Sequence, residues 1–475
     1  MRTRDLATVA FAASLFGTGC GYTCEEALNC GPLVLEGGGG VGGQGSGGGG
    51  TGGMTVASTR WAVRYGDMAT QHPLAMAATA TGASFVVGEL GGALSLDTAA
   101  AVSAGAEDGF VLRLDEAGKG VWARAIGTAN GDTLTAVTPA QDGGAIVAGR
   151  FLGTAQLGAG ITATSDAQDA LVVRLDATGA TLWATALGGA GDQEARAVAL
   201  SADGSAVGVV GVSTGGASMG GTDIYLAWLD AGTGALLNDR FVGGLEDDAG
   251  TAAAFVGGTL VVAGHFRAAV DFGTGSQVAG GSDDVFVMGI PSSSLTPSWV
   301  KRFGDGESQV ANALAGSPSG FVLGGTMGGT VDFGGGSLTA IADDGFVVAF
   351  DAAGAHRWSR RVTGPGRVEV LAVGLGGSGG VRLGGRYEGA SVELDGRTLL
   401  ASNAADGFAA ALDDDGGLQL LVALGGSGTQ EATGVGAGQN GSLLAAGPFA
   451  DTLVVGESML IAEGGLDGYA VAIEP

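Results

Sequence analysis

The sequence predicts an all-β protein: a β-propeller of seven blades, each with four antiparallel strands. Three observations point to this fold. A unit of about sixty residues recurs along the chain, the composition is rich in Gly (97) and poor in Pro (9), and each unit holds four short apolar runs. Gly reaches positive φ at tight turns without steric cost, and short apolar runs between Gly, Asp and Asn indicate strands. Four strands at fixed spacing favour a propeller, because each blade buries its faces only against its neighbours.

Each unit is marked by an Asp that opens a strand, here called the anchor Asp. The anchors are Asp108, Asp169, Asp223, Asp284, Asp344, Asp406 and Asp467. Fourteen or fifteen residues later a large apolar residue follows, at Trp122, Trp183, Leu237, Trp299, Trp358 and Leu420. Several units carry a Leu-Asp-x-x-Gly sequence between the two, as at 114–118 and 175–179, and Asp and Gly at those positions predict a tight turn.

The two ends of the chain predict how the ring closes. The last anchor, Asp467, begins a strand that ends the sequence, so no Trp-bearing strand follows it. The first Trp, Trp61, has no anchor strand before it. We therefore expect the strand around Trp61 to pair with the C-terminal blade and close the propeller.

The third unit is shorter than its neighbours. The step from Asp169 to Asp223 is 54 residues, whereas the adjoining steps are 61 each. The missing part is the element that carries Asp-Phe-Gly at 271–273 and 332–334 in other units. That triplet also occurs in kinases as a magnesium motif, but its recurrence at one repeat position indicates a structural role. We expect a shortened hairpin and a notch in the rim at the third blade.

The repeat resembles a known family. Its motifs are Asp-Gly-Phe-Val, Leu-Asp-x-x-Gly-x-x-x-Trp, Gly-Gly and Val-Asp-Phe-Gly, and they extend over residues 60–475. They resemble the bacterial seven-bladed β-propeller repeat (SBBP repeat) family. The resemblance implies a surface or secreted location and no particular reaction.

The N-terminal region predicts export. Residues 1–19 have a charged start, a short apolar stretch and small residues before Cys20, which is typical of a signal peptide. The segment resembles a bacterial lipoprotein signal, which implies a lipid on Cys20 and a place in the outer membrane or on the surface of a Gram-negative cell. Cleavage by ordinary signal peptidase, giving a periplasmic or secreted protein, is the alternative. Residues 20–59 predict a Gly-rich disordered tether in which Cys24 and Cys30 are able to form a disulfide.

Composition excludes several functions. A net charge of −27 argues against nucleic acid as a partner, and no Cys follows Cys30, so the propeller has no thiolate site. His72, His265 and His356 fall at different repeat positions, which gives no metal-ligand spacing and no catalytic triad. We expect no cofactor, no metal and no catalytic residue, membrane contact through the lipid anchor only, and a monomer.

Acidic residues recur in the loops that follow the Trp-type strands. Equivalent loops of a closed ring emerge on one face, so these carboxylates predict an acidic binding face. The candidate residues are Asp132, Asp192, Glu194, Glu246, Asp247, Asp248, Glu307 and Glu431. We expect any specific partner to dock beside the notch of the third blade.

Three functions fit such a face. The first is a non-catalytic envelope lipoprotein that binds a protein or glycan partner. The second is a glycosidase-like or lyase-like enzyme that uses face carboxylates. The third is a scaffold similar to the lipoprotein propeller of outer-membrane barrel insertion. Carboxylates that converge in one pocket favour the enzyme, whereas carboxylates spread around a rim favour binding.

Overall fold

A computed structural model describes residues 57–215, 219–292, 294–377, 379–402 and 405–474. Within these ranges the strands form seven four-stranded antiparallel sheets, which are the blades of a propeller. The first strand of each blade contacts the first strands of both neighbouring blades, so the first strands surround a central channel. The predicted fold is confirmed.

The first four blades follow one another along the chain. Blade 1 consists of the strands Gln71–Ala78, Ser84–Leu90, Asp108–Leu114 and Gly120–Ile126. Blade 2 consists of Thr133–Pro139, Ala145–Phe151, Asp169–Leu175 and Thr181–Leu187. Blade 3 consists of Asp192–Leu200, Ala206–Thr214, Thr222–Asp230 and Leu236–Val242. Blade 4 consists of Ala249–Val256, Thr259–Phe266, Asp284–Pro291 and Trp299–Phe303.

The remaining blades include the one that joins the chain ends. Blade 5 consists of Gln309–Ser317, Gly320–Met327, Asp344–Asp351 and His356–Thr363. Blade 6 consists of Val368–Gly376, Gly379–Glu388, Ala405–Leu412 and Leu418–Leu424. Blade 7 consists of Gly434–Ala437, Leu443–Phe449, Asp467–Glu474 and, from the N-terminal end, Ser58–Tyr65. A short 3-10 turn covers Gln439–Gly441, and the described residues hold no helix long and apolar enough to cross a membrane.

The ring closes as the sequence predicts. Ser58–Tyr65 pairs antiparallel with Asp467–Glu474, with Trp61 opposite Ala472. Tyr65 is fully buried and shares a hydrophobic cluster with Val86 of blade 1. The N-terminal strand therefore completes blade 7 and also packs against blade 1.

The repeated Trp joins neighbouring blades. In five interfaces the Trp ring lies against the Gly of the Asp-x-x-Gly turn in the next blade, and a Cβ on that Gly would lie 2.4 to 3.4 Å from the ring. The pairs are Trp61 with Gly118, Trp122 with Gly179, Trp183 with Gly234, Trp299 with Gly354 and Trp358 with Gly416. The indole of Trp122 also donates a 3.0 Å hydrogen bond to the carbonyl oxygen of Ala177 in that turn. The Trp and the turn therefore form one contact between blades.

The prediction that Leu237 takes the Trp position of blade 3 is wrong. The turn from Asp230 to Gly234 has one extra residue, and the strand register then places Asn238 where other blades have Trp. Leu237 lies at the bulge beside it and is 61% exposed. The Trp position holds Asn238 and Leu420 at the two interfaces where the described part of the next blade has no Asp-x-x-Gly turn.

Six blades carry an extra hairpin between their second and third strands, within the described residues. The hairpins are Ala93–Leu96 with Ala99–Val102, Thr154–Gln156 with Thr162–Thr164, Ala269–Asp271 with Ser276–Val278, Thr330–Asp332 with Ser337–Thr339, Ser391–Leu394 with Arg397–Leu400, and Thr452–Val455 with Ser458–Ile461. In blade 3 residues 215–221 join these strands, and the described ones among them (215 and 219–221) form no hairpin strand. Residues 216–218 lie outside the described residues, so the notch stays a prediction.

The Asp-Phe-Gly triplets close two of these hairpins. The Asp271 carboxylate accepts hydrogen bonds from the backbone N–H groups of Gly273 and Gly275, at 2.8 and 3.2 Å. Asp332 makes the same contacts in blade 5, and Phe272 and Phe333 are buried. The triplet is a turn motif of the repeat.

The register of the strands gives the ring two different sides. Within a blade, the start of the first strand, the end of the second and the start of the third lie side by side. The hairpins and the loops between successive blades therefore lie on the same side of the ring, here called the hairpin face. The tight turns between first and second strands and between third and fourth strands lie on the other side, here called the turn face.

Candidate functional site at the channel mouth

The anchor Asp side chains are structural parts of the hairpin face. All seven are at most 8% exposed. In blade 7, Asp467 accepts a 3.0 Å hydrogen bond from the backbone N–H of Glu463 and pairs with Arg64 of the N-terminal strand at 2.5 Å. Arg302 and Arg361 pair in the same way with Asp284 and Asp344. In blades 1, 4, 5, 6 and 7 the anchor therefore fastens the residues after the hairpin to the third strand.

One repeat-equivalent position at or just before the start of each first strand is also buried, and it holds Gln71, Asp132, Gln193, Asp248, Gln309, Val368 and Gln430. Asp132 accepts a 3.0 Å hydrogen bond from Leu152 N–H, and Asp248 accepts bonds from Gly244 and Arg267 N–H at 2.7 and 2.9 Å. Burial raises the pKa of both carboxyl groups, and that of Asp248 reaches about 6. These two side chains hold inter-blade loops in place and are not available to a ligand on the surface.

The mouth of the channel begins one residue further along each first strand. Six blades place a second residue opposite this position, on the second strand. The pairs are His72 with Glu89, Thr133 with Arg150, Glu194 with Val212, Ala249 with His265, Val310 with Thr326, and Glu369 with Arg386. Blade 7 contributes Glu431, which follows buried Gln430. Repeat-equivalent positions therefore build a polar belt around the mouth.

Opposite charges in this belt contact each other across blade boundaries. Arg386 of blade 6 lies 2.8 Å from Glu431 of blade 7 and also pairs with Glu369 in its own blade. Arg150 of blade 2 lies 3.9 Å from Glu194 of blade 3. Burial alone would lower the pKa of the Arg386 guanidinium, but its two carboxylate partners raise it overall. At these two boundaries the belt therefore holds ion pairs and not carboxylates alone.

A cavity of about 350 Å³ opens into the belt where blades 6, 7 and 1 meet. Its polar lining consists of His72, Glu369, Arg386, Thr429 and Glu431. Its apolar lining consists of Leu371, Pro448 and Leu466. This volume lies within the range of small-ligand sites, and the wall combines three apolar side chains with five polar ones that can orient a ligand.

The cavity lies at one of the interfaces where the described residues make no side-chain hydrogen bond between first strands. At four other interfaces a Thr or Asn of the first strand, or in blade 7 just before it, donates a hydrogen bond to a backbone carbonyl of the next blade; examples are Asn312 to Val370 at 3.0 Å and Thr433 to Pro73 at 2.9 Å. Between blades 6 and 7 the equivalent residue is Leu371, at the bulge of its strand. Its side chain cannot donate such a bond and instead forms part of the cavity wall.

The eight acidic residues expected to form a binding face all lie on the hairpin face, at three depths. Glu246, Asp247 and Glu307 are exposed on loops, and Asp192 is exposed at the start of the first strand of blade 3. Glu194 and Glu431 belong to the belt and are paired with Arg, and Asp132 and Asp248 are buried in loops. Cys20, Cys24 and Cys30 lie outside the described residues.

Sequence reasoning missed His72, Glu369 and Arg386. The signal for His72 and Glu369 is their position in the repeat, one residue after a buried residue that opens each first strand. Among the described residues, no three His, Asp or Glu side chains are grouped so that they would hold a metal ion.

Comparisons with known proteins add little to this geometry. No protein-family model and no curated protein matches the chain. The solved structures that resemble it include hydrazine synthase of Kuenenia stuttgartiensis, at 12% identity and a TM-score of 0.43, covering 78% of this chain and 92% of that one. Another is a protein of unknown function from Bacteroides caccae, at 14% identity and a TM-score of 0.33, covering 60% of this chain and 80% of that one. Similarity at this level carries no argument about what this chain does.

Proposed function

We propose that the chain is a non-catalytic binding module of the bacterial cell envelope. A lipid on Cys20 holds it at the membrane, the residues between Cys20 and the first strand at Ser58 act as a tether, and the hairpin face engages a protein or glycan partner. The lipoprotein-like N-terminal sequence supports the location. The binding role is supported by the unequal distribution of exposed apolar side chains between the two faces.

The observation that carries the binding role is the placement of exposed apolar side chains. Among the described residues, most exposed large hydrophobic side chains lie on hairpins and loops of the hairpin face, and the rest lie on fourth strands at the circumference. Four occupy the same position, the last residue of a hairpin. They are Val102, Val278, Leu400 and Ile461, between 62% and 75% exposed. Single exposed apolar residues are ordinary, but a set restricted to one face indicates an interaction surface.

The channel-mouth cavity supports binding over glycoside hydrolysis. It brings Glu369 and Glu431 together, which is the arrangement that an enzyme using paired carboxylates would need. A glycosidase, however, requires one carboxyl that keeps its proton, usually in an apolar setting. Here both carboxylates accept hydrogen bonds from Arg386. That contact favours two carboxylates that orient a ligand.

The proposal is tested with two sets of surface substitutions. The first replaces Val102, Val278, Leu400 and Ile461 by Ser, and the matched control replaces Val121, Leu182, Leu236 and Leu237, which are 43% to 61% exposed on fourth strands. Retention of an envelope partner on the immobilised protein is measured by quantitative mass spectrometry. We expect the hairpin set to lose the partner and the control set to keep it. Equal retention by both sets contradicts the proposal.

A further inference from the structure

The cavity between blades 6, 7 and 1 has nearly balanced charges. Glu369 pairs with Arg367 at 2.8 Å and also with Arg386. Arg386 in turn pairs with Glu431. His72 lies on the other side of the cavity, with its Nδ1 3.8 Å from Glu89 Oε2. A charged ligand would find no free counter-charge here and would have to displace an existing ion pair.

Several residues that line the cavity nevertheless carry hydrogen-bonding atoms without a partner among the described residues. Arg386 donates to its partners through Nε and Nη1, and Glu431 accepts through Oε1. Among the described residues, Arg386 Nη2, Glu431 Oε2, the Thr429 hydroxyl and His72 Nε2 have no protein partner. A donor on Arg386 therefore stands beside an acceptor on Glu431, and both groups are held in place by their shared ion pair.

We propose that this cavity binds a neutral saccharide through neighbouring hydroxyl groups. One hydroxyl accepts from Arg386 Nη2 while the next donates to Glu431 Oε2, and the sugar C–H groups contact Leu371, Pro448 and Leu466. Hydrogen bonds to ionised groups are the strong ones, and a rigid Arg–carboxylate pair gives them a fixed geometry. The inference rests on the proposed binding function and names the ligand class of one site on the hairpin face.

The supporting geometry comes from three blades. Arg386 and Glu369 belong to blade 6, Glu431 to blade 7 and His72 to blade 1. Glu431 is fixed further, because its backbone oxygen accepts a 2.7 Å hydrogen bond from Tyr469. The site therefore requires the closed ring.

The experiment measures binding to residues 57–475 by saturation-transfer NMR and calorimetry. The probes are neutral hexoses, N-acetylhexosamines and their disaccharides, with glucuronic acid, glucosamine and a capped neutral tripeptide as comparisons. We expect saturable binding of at least one neutral saccharide, with an affinity that stays nearly constant from about 0.05 to about 0.5 M NaCl because no net charge is neutralised. Glu431→Gln, which keeps the side-chain volume, weakens binding by about tenfold or more because a charge-assisted bond is lost.

Two matched controls accompany these variants. Glu307→Gln changes an exposed carboxylate on the same face and leaves affinity unchanged. Leu371→Phe fills the cavity and abolishes binding, whereas Leu74→Phe at the equivalent bulge of blade 1, which is not part of the cavity wall, does not. Circular dichroism melts establish that each variant is folded.

Several outcomes overturn the inference. They are no saccharide binding, binding of the charged sugars or the tripeptide alone, and Glu431→Gln binding as tightly as the wild type. If saccharides fail but the hairpin-set variant still loses its envelope partner, the proposed function stands and only the saccharide site is wrong.

Discussion

The contact between Trp122 and Gly179 makes a quantitative prediction about what holds neighbouring blades together. Gly179 has φ of +84°, and a Cβ placed on it would lie 2.9 Å from Trp122 Cδ2. Gly204 has φ of +71° in a comparable turn of blade 3, with no atom within 4 Å of its Cβ position. Gly204→Ala therefore introduces backbone strain alone, whereas Gly179→Ala adds a clash with the indole ring.

We expect Gly204→Ala to lower the free energy of unfolding by about 1 kcal/mol, the usual cost of a left-handed conformation for a residue with a Cβ. Gly179→Ala should cost about 1–3 kcal/mol more, because overpacking forces the ring or the turn to move. In a Trp122→Ala background the clash is absent. The cost of Gly179→Ala should then fall to that of Gly204→Ala, giving a coupling energy of at least about 1 kcal/mol.

The assay is equilibrium urea unfolding of residues 57–475, followed by far-ultraviolet circular dichroism so that loss of a Trp does not alter the signal. Trp122→Ala alone should cost about 3 kcal/mol, through lost burial and the lost hydrogen bond to Ala177. Equal costs for the two Gly substitutions in the wild-type background would refute the reasoning. So would a Gly179→Ala cost that does not change when Trp122 is absent.

Three further predictions concern the ends of the chain and one buried carboxyl group. Removal of residues 58–66 should cost several kcal/mol of unfolding free energy, because it exposes the edge of blade 7 and part of its core. Removal of residues 31–56 should cost far less. Similar melting temperatures for the two deletion variants would contradict ring closure. Burial raises the pKa of Asp248 from 3.8 to about 6, so its contribution to stability is fully present below 3.8 and is lost as pH rises through about 6, a difference of about 3 kcal/mol. The free energy of unfolding of Asp248→Asn, measured by urea titration, should therefore rise relative to that of the wild type between about pH 4 and about pH 7. A difference between the two free energies that does not change with pH would refute this. Cys20→Ser should move the protein from the membrane fraction to the soluble fraction, and a wild-type protein that is already soluble would favour ordinary signal cleavage.

The fold could be predicted because two residue types recur in each repeat and can be counted along the sequence. The anchor Asp and the Trp recur at nearly constant spacing. Trp61 has no anchor strand before it and Asp467 has no Trp-bearing strand after it, so the two strands complete one blade. The count failed at Leu237, because one extra residue in the preceding turn shifts the register, and spacing alone cannot locate such an insertion.

The site was harder to predict than the fold. The sequence predicts that the acidic residues share one face, but the depth of each depends on whether its side chain points into a loop, into the channel or into solvent. Arg386, which pairs with Glu369 in its own blade, meets Glu431 only because blade 6 lies beside blade 7. No local pattern in the sequence reports that contact.

The central claim, that the hairpin face is the interaction surface, is tested most directly by site-specific photo-cross-linking in cells. A photoreactive amino acid is placed singly at Val278 or Leu400 on the hairpin face, and at Thr178 or Ala353 on exposed positions of the turn face. We expect covalent adducts with an envelope partner from Val278 and Leu400 and none from Thr178 and Ala353. Adducts from the turn-face positions alone, or equally from both faces, would contradict the account.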